Sequence, residues 1–152
     1  MAKRKQVIGG EYISRGRKLS LSKAVRAGDF VYLTGQVPRQ GDQPMTTGTI
    51  EEQTRVALEA IEATLREAGC ALSDVVKAMV WLRDRTDFGG FNSVFAEYFP
   101  TDPPARSAVL SQLLVDGKRC YEALWSAYAQ GSNSSRRLMG CRATMRVRMS
   151  AR

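Results

Sequence analysis

Residues 49–69 constrain the fold more than any other stretch of this chain. Thr49-Ile50-Glu51-Glu52 has the form of a capping box, in which the Thr49 hydroxyl accepts from the Glu52 amide and the Glu52 side chain reaches back. Ile50, Thr54, Ala57, Leu58, Ile61, Leu65 and Ala68 then recur at helical spacing, and Gly69 supplies a stop. The segment is an amphipathic helix with one face to bury, and runs rich in β-branched and aromatic residues stand on both sides of it. Before it comes Phe30-Val31-Tyr32-Leu33-Thr34-Gly35-Gln36-Val37-Pro38; after it comes Val75-Val76-Lys77-Ala78-Met79-Val80-Trp81-Leu82. A helix so placed covers a sheet.

The remaining elements follow from the same patterns. Gln6-Val7-Ile8 reads as a short first edge strand in an otherwise basic and polar segment 1–18, and Gly28-Asp29 as a hairpin turn between residues 22–27 and the Phe30 run. Residues 40–48, with Gly41, Pro44 and Gly48, read as a loop. Asp87 is placed to cap a second helix with Phe88, Phe91, Val94, Phe95 and Tyr98 on its inner face. Residues 106–114 and 119–129, separated by Asp116-Gly117, read as two more strands. The expected order is β-β-β-α-β-α-β-β, an α+β fold with hairpins at both ends and both helices on one face of a mixed sheet. Strands as apolar on both faces as residues 75–82 imply that another copy of the chain covers the other face.

Composition narrows the chemistry. The 152 residues are one domain by size and contain no histidine, which removes Ser-His and Cys-His nucleophile systems and nearly all catalytic zinc sites. The three cysteines, 70, 120 and 141, are odd in number and far apart, as expected of reduced thiols in the cytoplasm. No run of about 18 apolar residues marks a membrane span, and the basic N-terminus lacks the apolar core of a signal peptide. The net charge of +8 is concentrated at the ends: residues 29–131 hold nine basic against 14 acidic side chains. Basic ends without interleaved aromatics or a binding motif read as solvated tails, so a nucleic-acid partner is not expected. Residues 131–152 read as a mobile tail separate from a functional domain over residues 1–130.

Pro103-Pro104-Ala105-Arg106-Ser107-Ala108-Val109 carries the strongest local signal for a site. Two prolines stiffen the backbone leading into a strand and leave Arg106 fixed at its head. A planar guanidinium held in this way matches a carboxylate in bidentate fashion. The plainer alternative is a surface arginine at a strand entrance.

With these pieces in place the chain resembles the reactive intermediate deaminase A family (RidA, YjgF-type, with the older name endoribonuclease L-PSP). The residues that carry the resemblance are Ala27-Gly28-Asp29-Phe30-Val31-Tyr32, Thr34-Gly35-Gln36-Val37-Pro38, Ile50-Glu51-Glu52-Gln53-Thr54, Asp74-Val75-Val76-Lys77, Asp87-Phe88 with Asn92, Tyr98-Phe99, Pro104-Ala105-Arg106-Ser107-Ala108-Val109 and Glu122-Ala123. They run in family order from about residue 6 to 129. The resemblance implies a chorismate-mutase-like fold, a homotrimer with a barrel-like core, and three clefts between subunits.

It also implies roles. The family's carboxylate-binding arginine falls on Arg106 and its water-positioning glutamate on Glu122, for hydrolysis of a 2-imino acid or its enamine to a 2-keto acid without cofactor or metal. Thr34 retains a hydroxyl where the family usually has serine, and Gly35 offers a backbone N–H. Ser107 stands where many members have cysteine, and Asn92 matches a residue of the cleft, against an alternative reading as an exposed helix asparagine. Leu21 stands where the family commonly has tyrosine, and of the family's E-x-E-A strand only Glu122-Ala123 is kept. Two alternatives to an imine hydrolase are a non-catalytic trimer that binds carboxylate metabolites or client proteins, and an agent of RNA cleavage or translation inhibition.

Overall fold

A computed structural model describes residues 5–112 and the backbone of residues 124–130. Expectations that fall on Glu122, Cys120, Cys141 and residues 131–152 lie outside the described residues. The strands are β1 (Gln6–Ser14), β2 (Arg17–Ala27), β3 (Phe30–Leu33), β4 (Arg39–Gln40), β5 (Gln43–Pro44), β6 (Val75–Leu82), β7 (Ala105–Leu110) and β8 (Leu124–Gln130); the helices are α1 (Ile50–Glu67) and α2 (Phe88–Tyr98). Six strands form one sheet in the order β1-β2-β3-β8-β6-β7, while β4 and β5 pair separately. All pairings in the large sheet are antiparallel except β6 with β7. Two helices on a mixed sheet give the expected chorismate-mutase-like α+β fold.

The expected capping box closes α1 in full: the Glu52 amide donates to Thr49 Oγ1 at 3.3 Å and the Thr49 amide to Glu52 Oε2 at 2.9 Å. Its apolar face is buried at every expected position, from Ile50 to Ala68, and Gly69 follows the C-cap Ala68. These side chains join Val31 and Leu33 of β3 and Ala78, Val80 and Leu82 of β6 in a single core with Phe91, Val94 and Phe95 of α2. Strand alternation then turns the intervening residues, Phe30, Tyr32, Met79 and Trp81, toward the face that the helices leave open.

Four local expectations need correction. β1 continues to Ser14 and pairs with a β2 that begins at Arg17, so a long hairpin occupies what reads as a basic, polar segment. Register shifts around Gly9-Gly10 and Glu11 break the period of two by which a strand is recognised. The 40–48 loop contains all of the small β4–β5 hairpin except Arg39. Asp87 does not cap α2 through its side chain: it ends a 3-10 turn over Arg85–Asp87 in helical conformation, and Asp84 accepts from the Thr86 amide at 2.8 Å. Finally, the last two strands are not a hairpin. β8 inserts between β3 and β6, leaving β7 parallel to β6 at the sheet edge.

Candidate active site

Arg106 is positioned by the β6–β7 register. It lies opposite Ala78, a core-facing position, so its side chain projects to the helix side of the sheet. There Phe88, Phe91 and Phe95, spaced for one helix face, lie against its guanidinium. The Arg106 Cζ atom is 4.6 Å from the Phe95 ring centroid, 5.1 Å from that of Phe91 and 5.9 Å from that of Phe88. A weakly hydrated planar cation gains from such ring faces while losing water. The same burial pulls the Arg106 pKa below its ordinary value, although a guanidinium stays cationic.

One amino group of Arg106 donates to Asn92 Oδ1 at 2.7 Å. The helix asparagine is therefore half-buried against the arginine, and its exposed reading is set aside. No carboxylate pairs with Arg106 among the described residues. The guanidinium instead lines a pocket of about 400 Å³ together with Leu82, Arg85, Phe88 and residues 108–110. A desolvated cation held by rings and a neutral amide, with a pocket beside it, is an anion-binding arrangement.

The other expected residues fall elsewhere in one chain. Ser107, next along β7, points to the opposite face, where it accepts from Lys77 Nζ at 2.9 Å. Leu21, Thr34 and Gly35 line a second pocket, of about 710 Å³, between the β1–β2 hairpin and the β4–β5 hairpin. β3 and β7 are separated by β8 and β6, a displacement of about 14 Å at ordinary strand spacing. So the structure joins Arg106 to Asn92, places Ser107 on the reverse face, and sets the Thr34 group apart. Sequence reasoning missed the aromatic bed under Arg106, because Phe88, Phe91 and Phe95 carry the same signal as an ordinary core face. It also missed Lys77 beside Ser107, which only the parallel register of β6 and β7 reveals.

The profile of the family described as endoribonuclease L-PSP matches residues 17–120. A RutC family protein of Pyrococcus horikoshii is 45% identical over 91 residues, covering 58% of this chain and 71% of the relative. The mitochondrial protein MMF1 of Saccharomyces cerevisiae is 39% identical over 90 residues, 59% of this chain and 62% of that protein. Among solved structures, yeast Mmf1 superposes with a TM-score of 0.74 at 29% identity, covering 84% of this chain and 99% of the other. Escherichia coli TdcF with bound serine superposes at 0.71 with 25% identity, covering 84% and 99%. The matched stretch includes the β6–β7 pair and the helix that cradle Arg106, and the chain belongs to the endoribonuclease L-PSP family, the group also called YjgF, RutC or RidA.

Proposed function

We propose that this chain is an enamine/imine deaminase that hydrolyses reactive 2-imino acids to 2-keto acids and ammonia. The observation that carries this reading is Arg106, unpaired with any described carboxylate, bound to Asn92 and lining a pocket. Its fork suits the carboxylate of a 2-imino acid and fixes the adjacent electrophilic carbon. TdcF, which the chain resembles, binds serine, a small molecule bearing a carboxylate.

The reaction is balanced without an external group. Water adds to the protonated C=N carbon, a proton passes to nitrogen, and the C–N bond breaks as C=O forms, leaving a 2-keto acid and ammonium. Glu122, outside the described residues, is the proposed carboxylate that positions the water and exchanges its protons. An already reactive imine needs only alignment and this proton transfer.

The separation of Thr34 and Gly35 from Arg106 supports a site completed by a second copy. The open sheet face presents Phe30 at 42%, Tyr32 at 42% and Val109 at 44% exposure. A homotrimer packing these faces together would set the Leu21, Thr34 and Gly35 pocket of one subunit against the Arg106 pocket of the next. No helix among the described residues is long and apolar enough to cross a membrane, and action in the cytoplasm on a metabolic imine is part of this reading.

The test generates 2-aminoacrylate in situ with a serine dehydratase and follows keto-acid formation. Wild type is expected to accelerate the last step; Arg106→Ala to lose at least about 100-fold, the scale of a displaced carboxylate; and Glu122→Gln to lose about 100-fold with substrate binding kept. Leu21, an alkyl group in the second pocket, favours one further reading, a trimer that binds carboxylates without turnover. Binding of a 2-keto acid with no acceleration on any aliphatic or aromatic imine would establish that reading in place of the enzyme.

A further inference from the structure

The pocket that holds Leu21, Thr34 and Gly35 has a second property. Among the described residues, three arginines line it, Arg15 and Arg17 from the β1–β2 hairpin and Arg39 from β4, and no aspartate or glutamate does. Arg39 is held by oxygen atoms that carry no formal charge. Its Nη1 donates to Tyr12 Oη at 3.3 Å, its Nη2 to Ser14 Oγ at 3.0 Å and also to the backbone carbonyl of Asp42. The Asp42 carboxylate itself accepts from the Gln43 side-chain amide, Nε2, at 3.1 Å. On the hairpin, Glu11 is engaged by Lys18, so the one acid of that element does not offset Arg15 or Arg17.

Ser14 pairs with Arg17 across a two-residue turn in which Arg15 has a φ of +51° and Gly16 of +69°. A non-glycine residue in the left-handed region carries a conformational cost, and here that turn holds Arg15 within it and Arg17 directly after it, both lining the pocket. Like charges brought together with no counter-charge among the described residues raise a positive potential that an anion relieves.

We propose that the substrate carries a second anionic group, a second carboxylate, seated among Arg15, Arg17 and Arg39 while Arg106 of a neighbouring subunit holds the carboxylate next to the reacting carbon. This inference rests on the reading of the two pockets as halves of one cleft. The substrate class is thus a dicarboxylic 2-imino acid. Leu21, in place of a phenol, leaves an apolar wall along the intervening methylene carbons.

Titration calorimetry with stable keto-acid products tests the inference, using 2-oxobutanoate as the monocarboxylate and 2-oxoglutarate as the dicarboxylate. Wild type is expected to prefer the dicarboxylate by about ten-fold or more, with the preference falling as salt is raised. In the double variant Arg15→Gln/Arg17→Gln the ratio of the two affinities is expected to approach one. Equal affinities in wild type, or a preference that survives in the double variant, would overturn the assignment. If Arg106→Ala meanwhile loses both acids, the carboxylate clamp stands and only the second anion site falls. If wild type binds neither acid, the reading of the cleft fails and the inference with it.

Discussion

Arg106 and Asp87 sit at opposite ends of the same physical problem, a charge removed from water near the start of α2. Arg106 solves it with ring faces and the Asn92 amide. Asp87 does not: it is 8% exposed and its Oδ2 has no hydrogen-bond partner among the described residues. Burial, and then the nearby Asp84 and Glu51 carboxylates, push its pKa above the ordinary aspartate value. A carboxyl that binds its proton more tightly when folded loses stability as pH rises from the unfolded value, about 3.9, through the raised one. At neutral pH Asp87 therefore destabilises the fold relative to a neutral isostere. Asp87→Asn is expected to unfold at higher denaturant than wild type at pH 7, with the gap closing as the pH is lowered toward 4. Urea unfolding at the two pH values checks this; a gap that is absent at pH 7 would show that the carboxylate is solvated. The sequence made Asp87 a helix cap because residue type and position both fit that role, and nothing in the linear pattern showed that a 3-10 turn would carry it into the interior.

The elements were legible where one period ran unbroken. α1 could be read to its caps because every third or fourth residue from Ile50 to Ala68 points the same way and Thr49 and Glu52 satisfy each other's amides. The β1–β2 hairpin could not, since bulges at Gly9-Gly10 and Glu11 shift its register and only Ile8 and Ala24 of its strands are buried. Nor could the place of β8, because pairing between strands far apart in sequence leaves no local trace. The prolines before Arg106 mark it as a fixed arginine at a strand entrance, but its aromatic bed required knowing that β7 runs parallel to β6 beside α2. The contact between the two helices gives a sharper element-level expectation. A Cβ at Gly90 would lie 2.6 Å from Ile50 Cγ2 and against Glu51, while a Cβ at Gly89 would meet nothing within 4 Å. Alanine at either position gains up to about 1 kcal/mol of helix preference. At Gly89 that gain is unopposed. At Gly90 it is set against overpacking of about 1–3 kcal/mol, because Ile50 is a core residue with little room to move. Gly89→Ala is expected to raise the melting temperature and Gly90→Ala to lower it, so thermal unfolding of the pair isolates helix packing from helix propensity. Equal shifts would mean that α1 and α2 separate more easily than their spacing indicates.

At the scale of the whole molecule, the described residues close the sheet on one side only. Its helix face is a closed core, whereas the opposite face exposes Phe30, Tyr32 and Val109 around a partly buried Trp81. A stable contact between copies buries about 800 Å² per partner. If the trimer proposed above forms through the open sheet face, Phe30 of β3 lies in the contact, while its exposure in the single chain keeps it out of the internal core. Phe30→Asp then places an unpaired carboxylate in an apolar interface, at a cost of at least about 2 kcal/mol for each subunit. Because three subunits share the penalty, the assembly is expected to shift from three times the chain mass of 16.8 kDa to the single-chain mass in sedimentation at micromolar concentration. Circular dichroism is expected to stay that of the wild-type fold. Loss of hydrolysis in this folded monomer, with Arg106 and Asn92 intact, is the result a shared cleft requires. A monomer that keeps full activity would place Arg106 and its water in one chain, and the Thr34 pocket would then have no part in catalysis.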